Sequence, residues 1–203
     1  DYLRGFETNE GDLTLGEEVH AQHIEAKANG GDLIVDGNLR AGGDYAGSIY
    51  LAAANDLRVE NGATLDASGD QLKLDSYGDP IEGSNRAIIN LTSRDGRLVL
   101  GNDVTLDVGA GGEARGTIDL NARRLGDPSA TSATGNDVAV DAGDNLTVNG
   151  AKRVSVNGFW TYDDAPDDPD ADPEGPAAQR VDQEYLDRIH EDSKGFVNAA
   201  LAN

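Results

Sequence analysis

Two histidines and three glutamates near the start of the chain have the spacing best suited to metal binding. His20 and His23 lie close to Glu17, Glu18 and Glu25, and imidazole with carboxylate is a ligand set that zinc accepts. On a strand, however, residues i and i+3 point to opposite faces. The pair could hold one ion only if a corner fell between them, so the sequence favours a solvated strand and corner over a metal site.

Acidic residues are dense between positions 163 and 172, where carboxylates could collect Ca²⁺. The run lacks the D-x-D-x-D-G spacing and the distal Glu of an EF-hand loop, and the calcium-binding pattern G-G-x-G-x-D does not occur in the chain. We therefore predict diffuse cation attraction at this run, no specific metal site and no cofactor.

Carboxylates at repeated positions are the candidates for acid–base chemistry. Asp66 and Asp107 each follow Thr-Leu, and Asp95 lies beside Arg94 and Arg97. Two carboxylates can act as acid and base on a glycan. The repeated aspartates also stand at strand ends, where Asp forms turns, and we expect them to lie about 10 Å apart, two coils of a stack. The sequence therefore predicts no catalytic residues and no enzyme.

The few aromatic side chains could stack on sugar rings. Tyr50, Tyr77, Trp160 and Tyr162 are scattered along the chain rather than grouped. We expect them to cover the core or its end, because large aromatic surfaces are usually buried in packing.

The charge balance excludes several classes of partner. The 203 residues include 16 basic and 38 acidic side chains, a formal net charge of −22. Nucleic-acid binding needs a positive surface, and an acidic polysaccharide would need a local cleft of cations such as Arg115, Arg123 and Arg124. There is no Cys, which excludes disulfides and thiolate ligands. No run approaches the ~20 apolar residues of a membrane span, so membrane insertion is not expected.

Short apolar runs of period two occupy the chain from residue 11 to about residue 160. Examples are L-T-L at 13–15, L-R-V at 57–59 and L-V-L at 98–100, each bounded by Gly, Asn or Asp. Such runs indicate short strands joined by tight corners.

A repeat indicates how these strands are arranged. Residues 49–67 resemble residues 89–108, so that Leu65 aligns with Leu106 at an offset of 41. This period predicts two coils of about 20 residues each, and strands about 4.8 Å apart would then give roughly seven coils over about 30–35 Å. An antiparallel sandwich would explain the alternation but not the spacing. The predicted fold is all-β, a parallel β-helix (solenoid) over residues 1–160, followed by a short C-terminal α-helix.

The pattern changes after Trp160. Residues 161–178 are acidic and Pro-rich without apolar period, which predicts an exposed linker. Residues 179–203 have helical period and predict an amphipathic helix that caps the last coil, with Gly195 as a weak point. Its expected apolar face contains Val181, Tyr185, Ile189, Phe196 and Ala200.

Four segments carry a resemblance to a known family. They are G-D-L-T-L at 11–15, G-G-D-L-I-V-D-G-N-L-R-A-G-G-D at 30–44, the stretch from G-S-I-Y-L to A-S-G at 47–69, and G-T-I-D-L-N-A-R-R at 116–124. Together they resemble the filamentous-haemagglutinin family of large Gram-negative exoproteins. The resemblance implies a right-handed β-helix, export through an outer-membrane transporter by two-partner secretion, and a fibre on the cell surface.

From this resemblance we expect a non-enzymatic, adhesive shaft segment of a secreted surface protein that binds receptors on host cells, bacteria or matrix. Two alternatives stay open, a β-helix that binds or degrades polysaccharide and the stalk of a toxin-delivery exoprotein. Loops 75–86 and 125–135 interrupt the coil spacing and are the expected contact sites. Because the chain starts at Asp1 and contains no Met, we expect it to be part of a longer protein. Open coil ends would allow weak end-to-end association.

Overall fold

A computed structural model describes residues 1–126 and 137–201. These residues form mostly β structure in parallel sheets, with one α-helix near the C-terminus. The chain divides into two compact units. Unit 1 contains Asp1–Arg123 and Val138–Gly158, and unit 2 contains Arg124–Asp137 and Phe159–Asn203.

Seventeen strands, one 3₁₀ helix and one α-helix make up the regular structure of the described residues. In chain order they are β1 (Leu3–Thr8), β2 (Leu13–Leu15), β3 (Val19–His20), β4 (His23–Ala28), β5 (Leu33–Val35), β6 (Leu39–Arg40), β7 (Ser48–Ala53), β8 (Leu57–Val59), β9 (Thr64–Asp66), the 3₁₀ helix (Glu82–Asn85), β10 (Ile88–Ser93), β11 (Leu98–Leu100), β12 (Thr105–Asp107), β13 (Gly116–Leu125), β14 (Asp137–Val138), β15 (Val140–Ala142), β16 (Thr147–Asn149), β17 (Ala151–Phe159) and α1 (Gln183–Leu201).

From β1 to β13, consecutive strands belong to sheets A, B and C in turn. Sheet A contains β1, β4, β7, β10 and β13 in that order, with β14 and β17 both paired to β13. Sheet B has the order β2-β5-β8-β11-β15, and sheet C has the order β3-β6-β9-β12-β16. Every pair in sheets B and C, and every pair from β1 to β13 in sheet A, is parallel. This arrangement fits a β-helix, and the antiparallel sandwich is wrong.

Identical aliphatic side chains lie in register from coil to coil. Ile24 pairs with Ile49, and Ile49 pairs with Ile89. Leu65 pairs with Leu106, as the repeat predicts. All these side chains are fully or almost fully buried, because alternate residues of a strand point to the same face and the apolar set turns inward. Their burial is the main stabilising contribution, at about 1.5–3 kcal/mol for each large aliphatic side chain.

The predicted number of coils is wrong. Leu57 and Leu98 belong to adjacent strands although they are 41 residues apart, whereas Leu13 and Leu33 are adjacent at a separation of 20. The 40-residue repeat is therefore one coil rather than two, and sheets B and C contain five strands each, not seven. The repeated strands pair directly because the residues between β9 and β10 form an insert outside the sheets. The apolar pattern does not distinguish such an insert from a second coil.

In the first four coils, one of the three corners varies much more in length than the other two. The connections from sheet A to sheet B and from sheet B to sheet C contain three or four residues in each of the first four coils. The connections from sheet C to sheet A, from β3 to β4 through β12 to β13, contain 2, 7, 21 and 8 residues in chain order. We call this the C-to-A corner.

The fixed corners are joined by side-chain hydrogen bonds between coils. The carboxylate Oδ1 of Asp32 accepts the backbone N–H of Asp56 at 3.1 Å, and Oδ1 of Asp56 accepts that of Arg97 at 2.8 Å. Asn61 likewise accepts the N–H of Asn102 at 2.8 Å through its amide oxygen. Asp and Asn therefore serve here as acceptors for the next coil as well as turn formers.

The α-helix of unit 2 begins with a capping hydrogen bond. Oδ1 of Asp182 accepts the backbone N–H of Tyr185 at 2.9 Å, which satisfies one free donor of the first turn. Tyr185 and Phe196 are buried, whereas Val181 precedes the helix and is exposed. The helix continues through Gly195 without a break. In the described part of the chain, no helix combines the length and apolar character needed to cross a bilayer.

Candidate cationic site

Positive side chains gather where three neighbouring strands of sheet A begin. Arg86 lies two residues before β10, Arg115 directly precedes β13, and Lys152 and Arg153 are at the start of β17. A cavity of about 390 Å³ is lined by these four residues together with Glu82 and Thr117. We call it the cationic cavity. Its lining has four cations and one carboxylate, a net charge of +3 in a chain whose net charge is −22.

Arg115 is the innermost cation of this cavity. Its side chain is only 15% exposed and its guanidinium contacts two exposed carboxylates, Glu82 at 3.2 Å and Glu113 at 2.6 Å. Its Nε is buried and has no hydrogen-bond acceptor among the described residues. A buried donor without an acceptor is costly, so the protein alone does not complete the hydrogen bonding of this guanidinium.

The insert before β10 fixes the position of Arg86. The insert contains a 3₁₀ helix, Glu82–Asn85, and Arg86 follows it directly. The side chain of Asn85 is buried and binds the backbone of Lys73 twice, accepting its N–H at 2.7 Å and donating to its carbonyl at 2.9 Å. This exchange closes the base of the insert, so Glu82 and Arg86 return to the start of β10.

The three arginines that an acidic polysaccharide would need as a cleft do not come together. Arg115 and Arg123 are eight residues apart, and β13 runs from Gly116 to Leu125, so at about 3.3 Å per residue they are separated by roughly 26 Å. The guanidinium of Arg124 lies 4.7 Å from the ring centre of Phe196 in unit 2. Of these three arginines, Arg115 lines the cationic cavity, and the sequence analysis did not single out Lys152 or Arg153 of β17. Lys152 and Arg153 stand at the start of an alternating run in the sequence, and this position could have indicated that they lie near Arg115.

The outer face of sheet A carries a second, less charged groove. A cavity of about 380 Å³ lies over β4, β7 and β10 and contains the exposed ring of Tyr50. Lys27 contacts Glu25 at 2.5 Å, and this hydrogen bond raises the pKa of Lys27. The amide of Asn121 donates to Asn90 at 3.2 Å. These groups are already bonded to each other, so this groove offers fewer open donors than the cationic cavity.

The two histidines belong to different sheets. His20 ends β3 in sheet C and His23 begins β4 in sheet A, so a corner does separate them. The Nδ1 of His23 is 2.7 Å from the hydroxyl of Ser48, and its ring meets Tyr2 edge-on at 4.8 Å. Within residues 1–126 and 137–201, no three His, Asp or Glu side chains form a group that could hold a metal ion.

The repeated aspartates are closer together than expected. Asp66 and Asp107 are directly paired between β9 and β12, one strand spacing of about 4.8 Å apart rather than 10 Å. Each uses its Oδ1 to accept the backbone N–H two residues further on, Ser68 at 2.9 Å and Gly109 at 3.0 Å. Both therefore act as turn formers.

The Asp95 group is divided between two coils. Arg94 binds Asp95 at 2.8 Å. Arg97 donates to both carboxylate oxygens of Asp141 at 2.5 and 2.6 Å, which lowers the pKa of Asp141. Both arginines are therefore in ion pairs. Arg94 pairs within its own corner, and Arg97 pairs with the following coil.

The acidic run contacts other parts of unit 2. Asp164 accepts a hydrogen bond from the hydroxyl of Tyr185 at 2.7 Å and forms an ion pair with Arg188 at 2.8 Å. The hydroxyl is the main cause of a lowered pKa of Asp164. Arg180 binds Asp168 at 3.2 Å. Part of the predicted linker is therefore fastened to the helix and to the residues before it.

Three of these four aromatic residues are exposed. Tyr50 is 42% exposed on sheet A, and Tyr77 is 90% exposed in the insert. Trp160 is 38% exposed, and the hydroxyl of Tyr162 is buried without a partner in the described structure. The expectation that the aromatic side chains cover the core or its end is wrong for Tyr50, Tyr77 and Trp160. Of the two loops proposed for contacts, 75–86 is the insert with the 3₁₀ helix, whereas most of 125–135 lies outside the described residues.

No family model matches this sequence, and no curated protein or solved structure matches it. The resemblance to filamentous haemagglutinins therefore rests on the sequence motifs alone.

Proposed function

We propose that unit 1 is a right-handed parallel β-helix that serves as a non-enzymatic, adhesive shaft segment of a large secreted surface protein of the filamentous-haemagglutinin type. The observation that carries this proposal is the series of in-register coils in three parallel sheets. Parallel ladders along a common direction resist extension because many backbone hydrogen bonds act together. Right-handed crossovers between parallel strands are strongly preferred, which supports the proposed handedness.

The edges of the sheets support a place within a longer stack. β1, β2 and β3 form one edge of the three sheets, and in sheets B and C the opposite edge is β15 and β16. Unpaired strand edges accept further strands. The proposal therefore includes end-to-end association through these edges, either with another coil of the same protein or with a second copy.

The proposal places the protein at the surface of a Gram-negative bacterium, exported through an outer-membrane transporter. Its partners there are receptors on host cells, other bacteria or matrix. Delivery of a toxin on the same stalk is an alternative role, which the sequence resemblance implies equally. A carbohydrate-binding role is the second candidate, and the cationic cavity favours binding over cleavage because its cations accompany a single lining carboxylate.

Adhesion is tested by coupling the purified chain to beads and measuring their retention on cells and matrix under flow. Albumin-coated beads are the control. We expect greater retention with the chain, and equal retention would contradict the proposal.

Enzymatic activity is tested by incubating the protein with a panel of polysaccharides and measuring new reducing or unsaturated ends. We expect no products. Products that disappear in an Asp107→Ala variant whose thermal midpoint is retained would refute the non-enzymatic assignment.

A further inference from the structure

We propose that the cationic cavity binds a polysaccharide that carries carboxylate or sulfate groups. The inference rests on the second candidate function, carbohydrate binding, and names its ligand class. It does not depend on the shaft function, because it concerns only the residues that line this cavity. An oxyanion bound there would meet donors from Arg86, Arg115, Lys152 and Arg153, which line one cavity of about 390 Å³.

The spacing of the cations suits a polymer rather than a single small anion. β10 pairs with β13, and β13 pairs with β17, so the strand starts follow one another in steps of about 4.8 Å. Two steps cover about 10 Å, more than one oxyanion can span. A chain of acidic sugars laid across the strands would place successive anionic groups against successive strand starts.

Two of the four cations of the cavity form no ion pair among the described residues, and Arg153 is paired with Asp119 at 3.3 Å. Arg86 and Lys152 are exposed and form no ion pair with any described residue. The Nη atoms of Arg115 are the part of its guanidinium that contacts acidic side chains. Its two carboxylate partners, Glu82 and Glu113, are 63% and 64% exposed, and exposed ion pairs are weak. A ligand oxyanion can therefore displace them.

The overall charge of −22 does not prevent this binding. At physiological ionic strength charges are screened beyond about 8 Å, so the cations that touch the ligand dominate over acidic residues elsewhere on the surface. The same screening makes the site local, and cations outside the cavity should contribute little.

The test is calorimetric titration of the full chain with three oligosaccharides of equal length, one uronic, one sulfated and one neutral, and with inorganic sulfate. We expect binding of at least one charged oligosaccharide and none of the neutral one. Comparison of the uronic and sulfated arms identifies the oxyanion. Absence of binding to both, equal binding of the neutral oligosaccharide, or sulfate binding as tight as that of the polymer would overturn the proposal.

Two double variants test whether the ligand binds at this cavity. R86Q/K152Q removes two unpaired, exposed cations of the cavity and should weaken binding at least about tenfold. R40Q/R94Q removes two exposed cations elsewhere in unit 1, so it changes the net charge equally, and should alter affinity less than about twofold. Equal weakening by both double variants would show a general charge effect and refute the site.

Glu82→Gln should increase the affinity for the ligand, whereas R86Q/K152Q should decrease it. The Glu82→Gln substitution removes the carboxylate that lines the cavity beside the four cations and should tighten binding several-fold, an effect that partial unfolding cannot produce. Unchanged or weaker binding by this variant, with an unaltered thermal midpoint, would contradict the proposed site.

Discussion

Leu65→Ala is the sharpest test of the in-register core. Leu65 is fully buried in β9 and pairs with Leu39 in β6 and Leu106 in β12. The substitution removes three carbons, about 2.4 kcal/mol at about 0.8 kcal/mol for each buried group. Backbone ladders hold both neighbouring strands in place, so the walls of the new cavity cannot collapse inward. The additional cavity cost raises the expected loss to about 3–4 kcal/mol in the free energy of unfolding.

Urea unfolding, followed by far-ultraviolet circular dichroism and intrinsic fluorescence, measures this loss. Leu74→Ala is the matched control because it removes the same atoms from a side chain that is 54% exposed in the insert, and it should change the free energy of unfolding by less than about 0.5 kcal/mol. A loss below about 1 kcal/mol for Leu65→Ala, or equal losses for the two variants, would refute the stacked core.

Three further outcomes follow from close contacts. Gly101→Ala should destabilise unit 1, since a Cβ there would lie 2.7–2.8 Å from atoms of the preceding coil, whereas Gly83→Ala has open space and should be neutral in thermal unfolding. Asp56 has a lowered pKa, mainly because it accepts a backbone N–H of the next coil. Its carboxylate therefore stabilises the fold above pH 3.8 and loses this effect as the pH falls through its folded pKa; the stability difference from Asp56→Asn should shrink in acid denaturant titrations. Tyr185→Phe should raise the pKa of Asp164 toward its ordinary value in an NMR titration, and an unchanged value would contradict the hydrogen bond.

The register of the core was predictable because it depends on local alternation. Leu65 and Leu106 follow the same Thr in two similar segments, and the structure pairs them directly. The number of coils was not predictable from the same repeat. One coil with a 21-residue insert has the same length as two short coils, and only the pairing of β7 with β10 separates the two arrangements.

The candidate site was only partly predictable. Arg115 precedes an obvious strand, so its place at the rim of sheet A could be inferred. Arg86 reaches the same place because Asn85 closes the insert on Lys73, a contact across 12 residues that no periodic pattern encodes. Asp164 likewise meets Tyr185 across 21 residues, so a run that resembles a solvated linker holds specific contacts.

The C-to-A corner shows that this fold keeps its strand pairing while the length of one connection changes. Closing a longer excursion costs little extra free energy, about 0.6 kcal/mol for each doubling of its length, and the 21-residue excursion leaves the pairing on both sides in register. New loop sequences can therefore be grafted or evolve at this position while the parallel strands on both sides keep their pairing. Libraries that randomise residues 75–84 would vary binding without redesigning the scaffold.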